Sequence, residues 1–336
     1  MLLISYGTRP EYIKVLSLIQ NIKNIKTLFT GQHATMINNH FPDYSIEIDE
    51  HCGNRLNDIV ISILKHPEIF EGIDYVLVQG DTTSSMAVAL SAFQCNIQVI
   101  HLEAGLRTYD LHDPYPEEMN RQLISRLASI HLCPTVNNKN NLIRENISED
   151  SIYVCGNTGL DNIDKTNITY ENYIIITLHR RDNIPIMSEW FSKIKELVLL
   201  YPNIHFIFPM HPNQDIRKHC HILCDEQLNN LHIIEPISHE EMNTLIKKCS
   251  LIISDSGGLQ EEASYLHKCI IVCRKTTERP ETIDMTSFMC YTPDTLIFIS
   301  QFILNRIESY KNYKCPYGDG CAWVKVKEIL DGKNMI

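Results

Sequence analysis

The sequence predicts an α/β protein of two domains, each built on a mostly parallel sheet, with the two domains facing a central cleft. Three observations lead there. At about 150 residues per domain, a chain of 336 residues holds two cores of its own. Short apolar runs alternate with helical patterns almost from end to end, the signature of βα units. Each clear run is followed by polar or glycine-bearing residues, where open α/β sheets bind their ligands.

The clearest strands are Met1 to Tyr6, Tyr75 to Val78, Val99 to Leu102, Ile152 to Val154, Ile174 to Leu178, His205 to Phe208, Leu251 to Ser254 and Ile270 to Val272. The opening Met1-Leu2-Leu3-Ile4-Ser5-Tyr6 is apolar but carries no basic leader, so it reads as a buried first strand and not as a signal peptide. Between Asp164 and Asn172 the stretch DKTNITYEN is polar and aperiodic, which places the domain boundary there. The expected domains are residues 1–168 and 169–317.

Composition narrows the function. Lys and Arg number 30 against 41 Asp and Glu, a net charge of −11 with pI near 5.7, so the long-range field repels nucleic-acid backbones and anionic membranes. No apolar stretch reaches the roughly 18 residues of a membrane span. Anionic small molecules remain suitable partners, because a few arginines in a cleft outweigh a mean negative charge. Twelve cysteines are scattered along the chain, several within strands; free Cys behaves there as a small buried hydrophobe, and a reducing cytoplasm is expected.

The first strand ends in Gly7-Thr8-Arg9-Pro10-Glu11. Thr8 with Glu11 makes a capping box, and Pro10 suits a first helical turn. Arg9 then stands beside unpaired helix N–H groups, a phosphate site in one reading and a solvated side chain at an ordinary cap in the other. A second such place is Ser254-Asp255-Ser256-Gly257-Gly258, between a strand and the helical Leu259-Gln260-Glu261-Glu262-Ala263. Two glycines admit a ligand close to the backbone, and Ser256 adds a hydroxyl. Neither a dinucleotide fingerprint nor a Walker sequence occurs. The choice is pyrophosphate binding or a tight strand-to-helix turn.

Acids recur at strand ends or helix starts: Asp81 in GDTT, Glu103 in LEAG and Glu117 in PEE. Each taken singly reads as a helix N-cap; three around one cleft suggest chemistry. His179, followed by Arg180 and Arg181 at another strand end, suits an anionic leaving group or a basic surface cluster. His219-Cys220-His221 with Cys224 lacks a partner pair at zinc spacing, and the surrounding RKHCHILCDEQL reads as an amphipathic helix, so no metal site is expected.

In order along the chain, GTRPEYIK, TGQH, QGDTTSS, EAGLRT, PYPEEMNR, GNTGLD, LHRRDN, SDSGGLQEEA and TTERPE closely resemble the motif series of the non-hydrolysing UDP-N-acetylglucosamine 2-epimerases. The likeness runs from Gly7 to Arg279 and ends with Tyr317-Gly318-Asp319-Gly320. It implies two Rossmann-like domains in the glycosyltransferase-B-like fold, with a C-terminal helix, about 318–336, returning to the first domain. It also implies a UDP-sugar substrate and neither NAD nor a metal as cofactor. A homodimer is expected.

Residue by residue, the resemblance implies catalysis by Asp81, Glu103, Glu117 and His179. It implies UDP phosphate and ribose contacts from Arg9, Ser256, Gly257, Gly258 and Glu262, with Lys14, His211 and Arg279 also facing the site. The family's uracil-contacting segment, usually aromatic or Gln-bearing, reads Pro236-Ile237-Ser238-His239-Glu240-Glu241-Met242 here. Relatives bind a second UDP-N-acetylglucosamine partly through a segment like Thr30-Gly31-Gln32-His33. Gln32 and His33 are effector-site candidates, and Thr35, where relatives often carry a long polar side chain, implies weak or absent activation.

The chemistry agrees with the residues. The C2 hydrogen of a hexosamine has no adjacent carbonyl, so inversion there needs a temporary oxidation or an elimination, and the missing dinucleotide fingerprint favours elimination. Rival readings are a C2 epimerase of another UDP-hexosamine, such as UDP-2,3-diacetamido-glucuronate or a 6-deoxy sugar, a hydrolysing 2-epimerase, a glycosyltransferase of the same fold, and an inactive UDP-sugar-binding regulator. The long segment between Glu103 and Glu117, Thr108 to Tyr115, resembles that of the UDP-N-acetylglucosamine enzymes.

Overall fold

The computed structural model describes residues 1–33, 41–224, 228–311 and 313–336. The chain divides into two compact units, Met1–Asn162 with Tyr317–Ile336, and Ile163–Pro316.

The first unit is a parallel sheet of seven strands: β1 (Leu2–Tyr6), β2 (Ile25–Phe29), β3 (Tyr44–Ser45), β4 (Tyr75–Gln79), β5 (Gln98–Leu102), β6 (Ile130–Cys133) and β7 (Ile152–Val154), in the order β3-β2-β1-β4-β5-β6-β7. Side chains alternate across each strand, so β1 buries Leu2, Ile4 and Tyr6 on one face and Leu3 on the other. That two-sided burial explains why the central strands read as continuous apolar runs. The helices are α1 (Arg9–Asn21), α2 (Arg55–Leu64), α3 (Thr83–Gln94), α4 (Glu117–Leu127) and α5 (Val136–Arg144). Thr8 and Glu11 form the expected capping box at α1, with Pro10 in the first turn.

The last twenty residues pack in the first unit. The Asn157 amide donates to the Tyr317 carbonyl at 2.7 Å. The C-terminal helix, Ala322–Gly332, has no cap of its own. Asp161 supplies one, accepting from the Ala322 and Trp323 amides at 2.8 Å each, while Val326 and Leu330 enter the same core as Leu2 and Ile4.

The second unit is a parallel sheet of six strands: β8 (Tyr173–Thr177), β9 (His205–Pro209), β10 (Leu231–Ile234), β11 (Leu251–Ser254), β12 (Cys269–Val272) and β13 (Ser287–Met289), in the order β10-β9-β8-β11-β12-β13. Its helices are α6 (Met187–Leu200), α7 (Gln214–Arg217), α8 (His239–Ile246), α9 (Gly257–Tyr265), α10 (Leu296–Leu304) and α11 (Ile307–Tyr310). Trp190, Phe191, Phe206 and Phe208 centre its core.

One expectation is corrected. Among the described residues RKHCHILCDEQL is not a single helix: α7 stops at Arg217 and a 3-10 turn, Cys220–Ile222, follows, while Asp225, Glu226 and Gln227 lie outside the described residues. The His219 amide bonds back three residues, to the Ile216 carbonyl, which tightens the turn and ends the α-helical ladder.

Candidate active site

The loop after β1 is built around one buried carboxylate. Glu11 Oε2 accepts from the Gly7 and Thr8 amides, at 3.0 and 2.7 Å, and from the Thr8 hydroxyl at 2.7 Å. Its Oε1 accepts from Thr82 Oγ1 at 2.8 Å and Ser85 Oγ at 2.6 Å, at the start of α3. Glu11 therefore ties the Arg9 loop to the Asp81 loop. Gly7 is required there, since a Cβ would lie 2.1 Å from Thr30 Oγ1 and 2.5 Å from Ser84 Oγ. Arg9 itself is exposed.

Asp81 follows β4 and is gripped from α4. Arg121, 3% exposed, places Nε at 2.8 Å and Nη2 at 2.6 Å from Oδ2, and Asn120 Nδ2 donates to the Asp81 carbonyl at 2.9 Å. Among the described residues no hydrogen bond or ion pair involves Oδ1. Arg121 also meets the buried Glu118 at 3.2 Å. Glu103, after β5, holds Lys14 Nζ at 2.5 and 2.6 Å and accepts from Gln79 Nε2. Its backbone is left-handed, φ 66°, which is uncommon for a residue with a Cβ. Glu117, half-buried, is the first residue of α4, where the helix dipole favours negative charge.

None of the three acids is the N-cap that each taken singly suggests. The caps are Thr82 for α3 and Pro116 for α4, and no helix starts directly after Glu103. The Asp81 loop is instead held from within the sheet: His101, fully buried in β5 beside β4, donates from Nε2 to the Gly80 carbonyl at 2.8 Å. Burial pushes the imidazole of His101 down to about 3, so the neutral ring is the donor.

In the second unit the ends of β8 and β11 meet. Asp255, fully buried, accepts from the His179 amide at 3.1 and 3.0 Å, the Arg180 amide at 2.9 Å and Asn183 Nδ2 at 2.9 Å. His179 Nδ1 lies 3.3 Å from Asp255 Oδ1, and the His179 ring stacks on His211, centroids 5.3 Å apart. Burial, followed by the neighbouring His179, lowers the pKa of His211.

Ser256 precedes α9 without a side-chain cap bond, so the amides at Gly257 and Gly258 are available to an anion. A Cβ on Gly257 would sit 2.5 Å from Arg279 Nη1. Arg279 is buried, paired with Glu261 at 3.0 Å and with Glu278. Glu262 Oε1 lies 3.1 Å from His239 Nε2, which brings the Pro236 to Met242 segment to the same loop.

The effector candidates flank the first loop. Gln32 Oε1 accepts the Ser84 amide at 3.1 Å, and the His33 amide donates to the Gly7 carbonyl at 2.9 Å. Thr35 lies outside the described residues. Among the described residues no group of three or more His, Cys, Asp or Glu could hold a metal ion, and no helix is long and apolar enough to cross a membrane.

Arg121, Gln79 and Asp255 are not singled out by the sequence, and Glu11 is legible there as a capping partner but not as the tie to Thr82 and Ser85. Arg121 had a local signal: it stands four residues after Glu117, on one helical face. Asp255 lay inside the glycine loop but read as part of a turn.

A family model described as UDP-N-acetylglucosamine 2-epimerase matches residues 19–331. The chain is 37% identical to a UDP-N-acetylglucosamine 2-epimerase of Campylobacter jejuni, covering 99% of this chain and 98% of that protein. It is 34% identical to one of Bacillus subtilis, covering 97% and 93%. Among solved structures, it resembles the UDP-GlcNAc 2-epimerase from Neisseria meningitidis bound to UDP-GlcNAc, with TM-score 0.89, 34% identity and coverage of 98% and 99%. It also resembles that of Methanocaldococcus jannaschii in complex with UDP-GlcNAc and UDP, with TM-score 0.81, 29% identity and coverage of 98% and 99%.

Proposed function

Because the chain belongs to the UDP-N-acetylglucosamine 2-epimerase family, we propose that it interconverts UDP-N-acetylglucosamine and UDP-N-acetylmannosamine without hydrolysis, by eliminating and re-adding UDP. The observation that carries this reading is the gathering of Asp81, Glu103 and Glu117 at one end of one sheet, with α4 bonded to the Asp81 loop through Asn120 and Arg121.

In the forward direction a carboxylate takes the C2 proton, the C1–O bond breaks, and UDP leaves with the electron pair to give a 2-acetamidoglucal. A proton is then returned to the opposite face of C2, and a UDP oxygen attacks C1. Atoms and electrons balance with no redox step. Asp81, with Oδ1 uncommitted, and Glu117 serve as acid and base on the two faces. Glu103, locked by Lys14 and Gln79, fixes geometry and stabilises cationic character at C1.

UDP must be retained while it is free. Arg9 and the Ser256-Gly257-Gly258 loop with Glu262 contact its phosphates and ribose, Lys14, His211 and Arg279 face the site, and His179, stacked on His211, meets the departing diphosphate. Cys133, Cys155, Cys249, Cys269, Cys273 and Cys290 are buried, the setting in which Cys serves as a small hydrophobe, and the proposed location is a reducing cytoplasm.

Proton NMR of the purified protein with UDP-N-acetylglucosamine in D2O is the test. The epimers should appear with deuterium at C2. Retention of all the original hydrogen in the epimerised product would exclude the elimination, free N-acetylmannosamine with stoichiometric UDP would mark a hydrolysing enzyme, and turnover of only another UDP-hexosamine would move the substrate.

A further inference from the structure

Asp255 lies in the turn before α9 yet caps nothing there, since Ser256 is the N-cap. Its carboxylate turns instead to the end of β8. Oδ2 is fixed by the Arg180 amide and by Asn183 Nδ2, each at 2.9 Å, and the His179 amide is shared between Oδ2 and Oδ1. Asn183 is itself immobilised, donating to the Cys273 carbonyl at 2.9 Å and accepting from Trp190 Nε1 at 3.1 Å. The remaining direction of Oδ1 meets His179 Nδ1 at 3.3 Å. A carboxylate has only acceptors, so its proximity favours the ring forms that carry a proton on the nitrogen facing it, the Nδ1–H neutral ring and the cation. Stacking on His211, 14° from parallel, restrains the ring face while Asp255 restrains its edge. The His179 side chain stays 36% exposed, and Nε2 makes no hydrogen bond among the described residues.

We propose that Asp255 is a positioning residue for His179: it keeps the Nδ1–H form and a fixed ring orientation, leaving Nε2 as the atom that meets the leaving diphosphate. This rests on the role given to His179 above. A backbone clamp alone needs no contact at Nδ1, so the two roles separate experimentally.

The test combines a spectrum and a mutant cycle. In the wild-type protein, 15N NMR of His179 should show the neutral ring protonated at Nδ1; protonation at Nε2 would overturn the proposal. Asp255→Asn should lower kcat by about 10- to 10²-fold, the scale of a group acting through a catalytic partner, with KM nearly unchanged. In a His179→Asn background the same change should add less than about twofold. Losses that multiply in full would show Asp255 acting independently of His179. Should Asp255→Asn fail to fold, the wild-type spectrum decides alone. A wild-type protein that turns over no UDP-hexosamine would sink the epimerase reading and leave the nitrogen assignment standing as a separate result.

Discussion

Arg121 holds Asp81 from two nitrogens at once, Nε at 2.8 Å and Nη2 at 2.6 Å, both on Oδ2. One carboxylate oxygen is thereby anchored to α4 and the other stays available. An arginine fork does this and a lysine point charge does not. Arg121→Lys should lower kcat by about tenfold and Arg121→Met by 10²-fold or more, while UDP affinity, read by calorimetry, changes little. Equal turnover in both variants and wild type would remove Asp81 orientation from the mechanism.

If Asp81, Glu103 and Glu117 share the two proton transfers and the C1 cation, changing any one to its amide should lower turnover by about 10²-fold or more. UDP binding should survive. Some variants should release free UDP and the glycal, because elimination outlives a crippled return step, and ion-exchange chromatography of the reaction would detect both. Near-normal turnover in all three would reduce these acids to structural groups.

His101 makes stability depend on pH. Burial lowers its pKa to about 3, so the folded chain keeps the ring neutral while the unfolded chain takes up a proton below the ordinary value near 6.5. Its contribution is complete above pH 6.5 and is lost as pH falls from there through about 3, at up to about 1.4 kcal/mol per pH unit. His101→Gln keeps an N–H for the Gly80 carbonyl without titrating. The urea midpoint of this variant should fall less steeply between pH 6.5 and 4.5 than that of the wild type; identical slopes would refute the assignment.

Asp161 caps the C-terminal helix from outside it, and Ser17 Oγ, 3.1 Å away, holds the carboxylate in place. Asp161→Ala strands two helix amides and should cost about 1–2 kcal/mol, whereas Asn, an equally good cap, should restore most of it. Thermal unfolding of the three proteins measures this. An Asn variant as unstable as the Ala variant would mean that charge, and not capping geometry, matters.

The parts of this protein legible in its sequence are those set by short-range physics. The Thr8–Glu11 capping box forms between residues three apart. β1, β4, β5, β8, β11 and β12 are buried on both sides over most of their length, so their runs are mainly apolar and announce themselves. Shorter, less buried or mixed strands did not: β2 is IKTLF, β10 keeps two of four residues exposed, β6 is only the four residues IHLC, and β3 has only two residues. The two-domain α/β class followed from chain length and the alternation of apolar runs with helical patterns, and the glycine turn at Ser256 from its place between a strand and a helix.

The tertiary structure alone decided who faces whom. Arg121 reaches Asp81 across 40 residues of chain, His179 reaches Asp255 across 76, and Lys14 reaches Glu103 across 89. No periodicity or local propensity encodes such pairs, because each depends on the order in which parallel strands are laid side by side, β1 beside β4 and β4 beside β5 in one sheet, β8 beside β11 in the other. Strand order brings loops distant in sequence to the same end of a sheet, and there the charges named by the sequence acquire their partners.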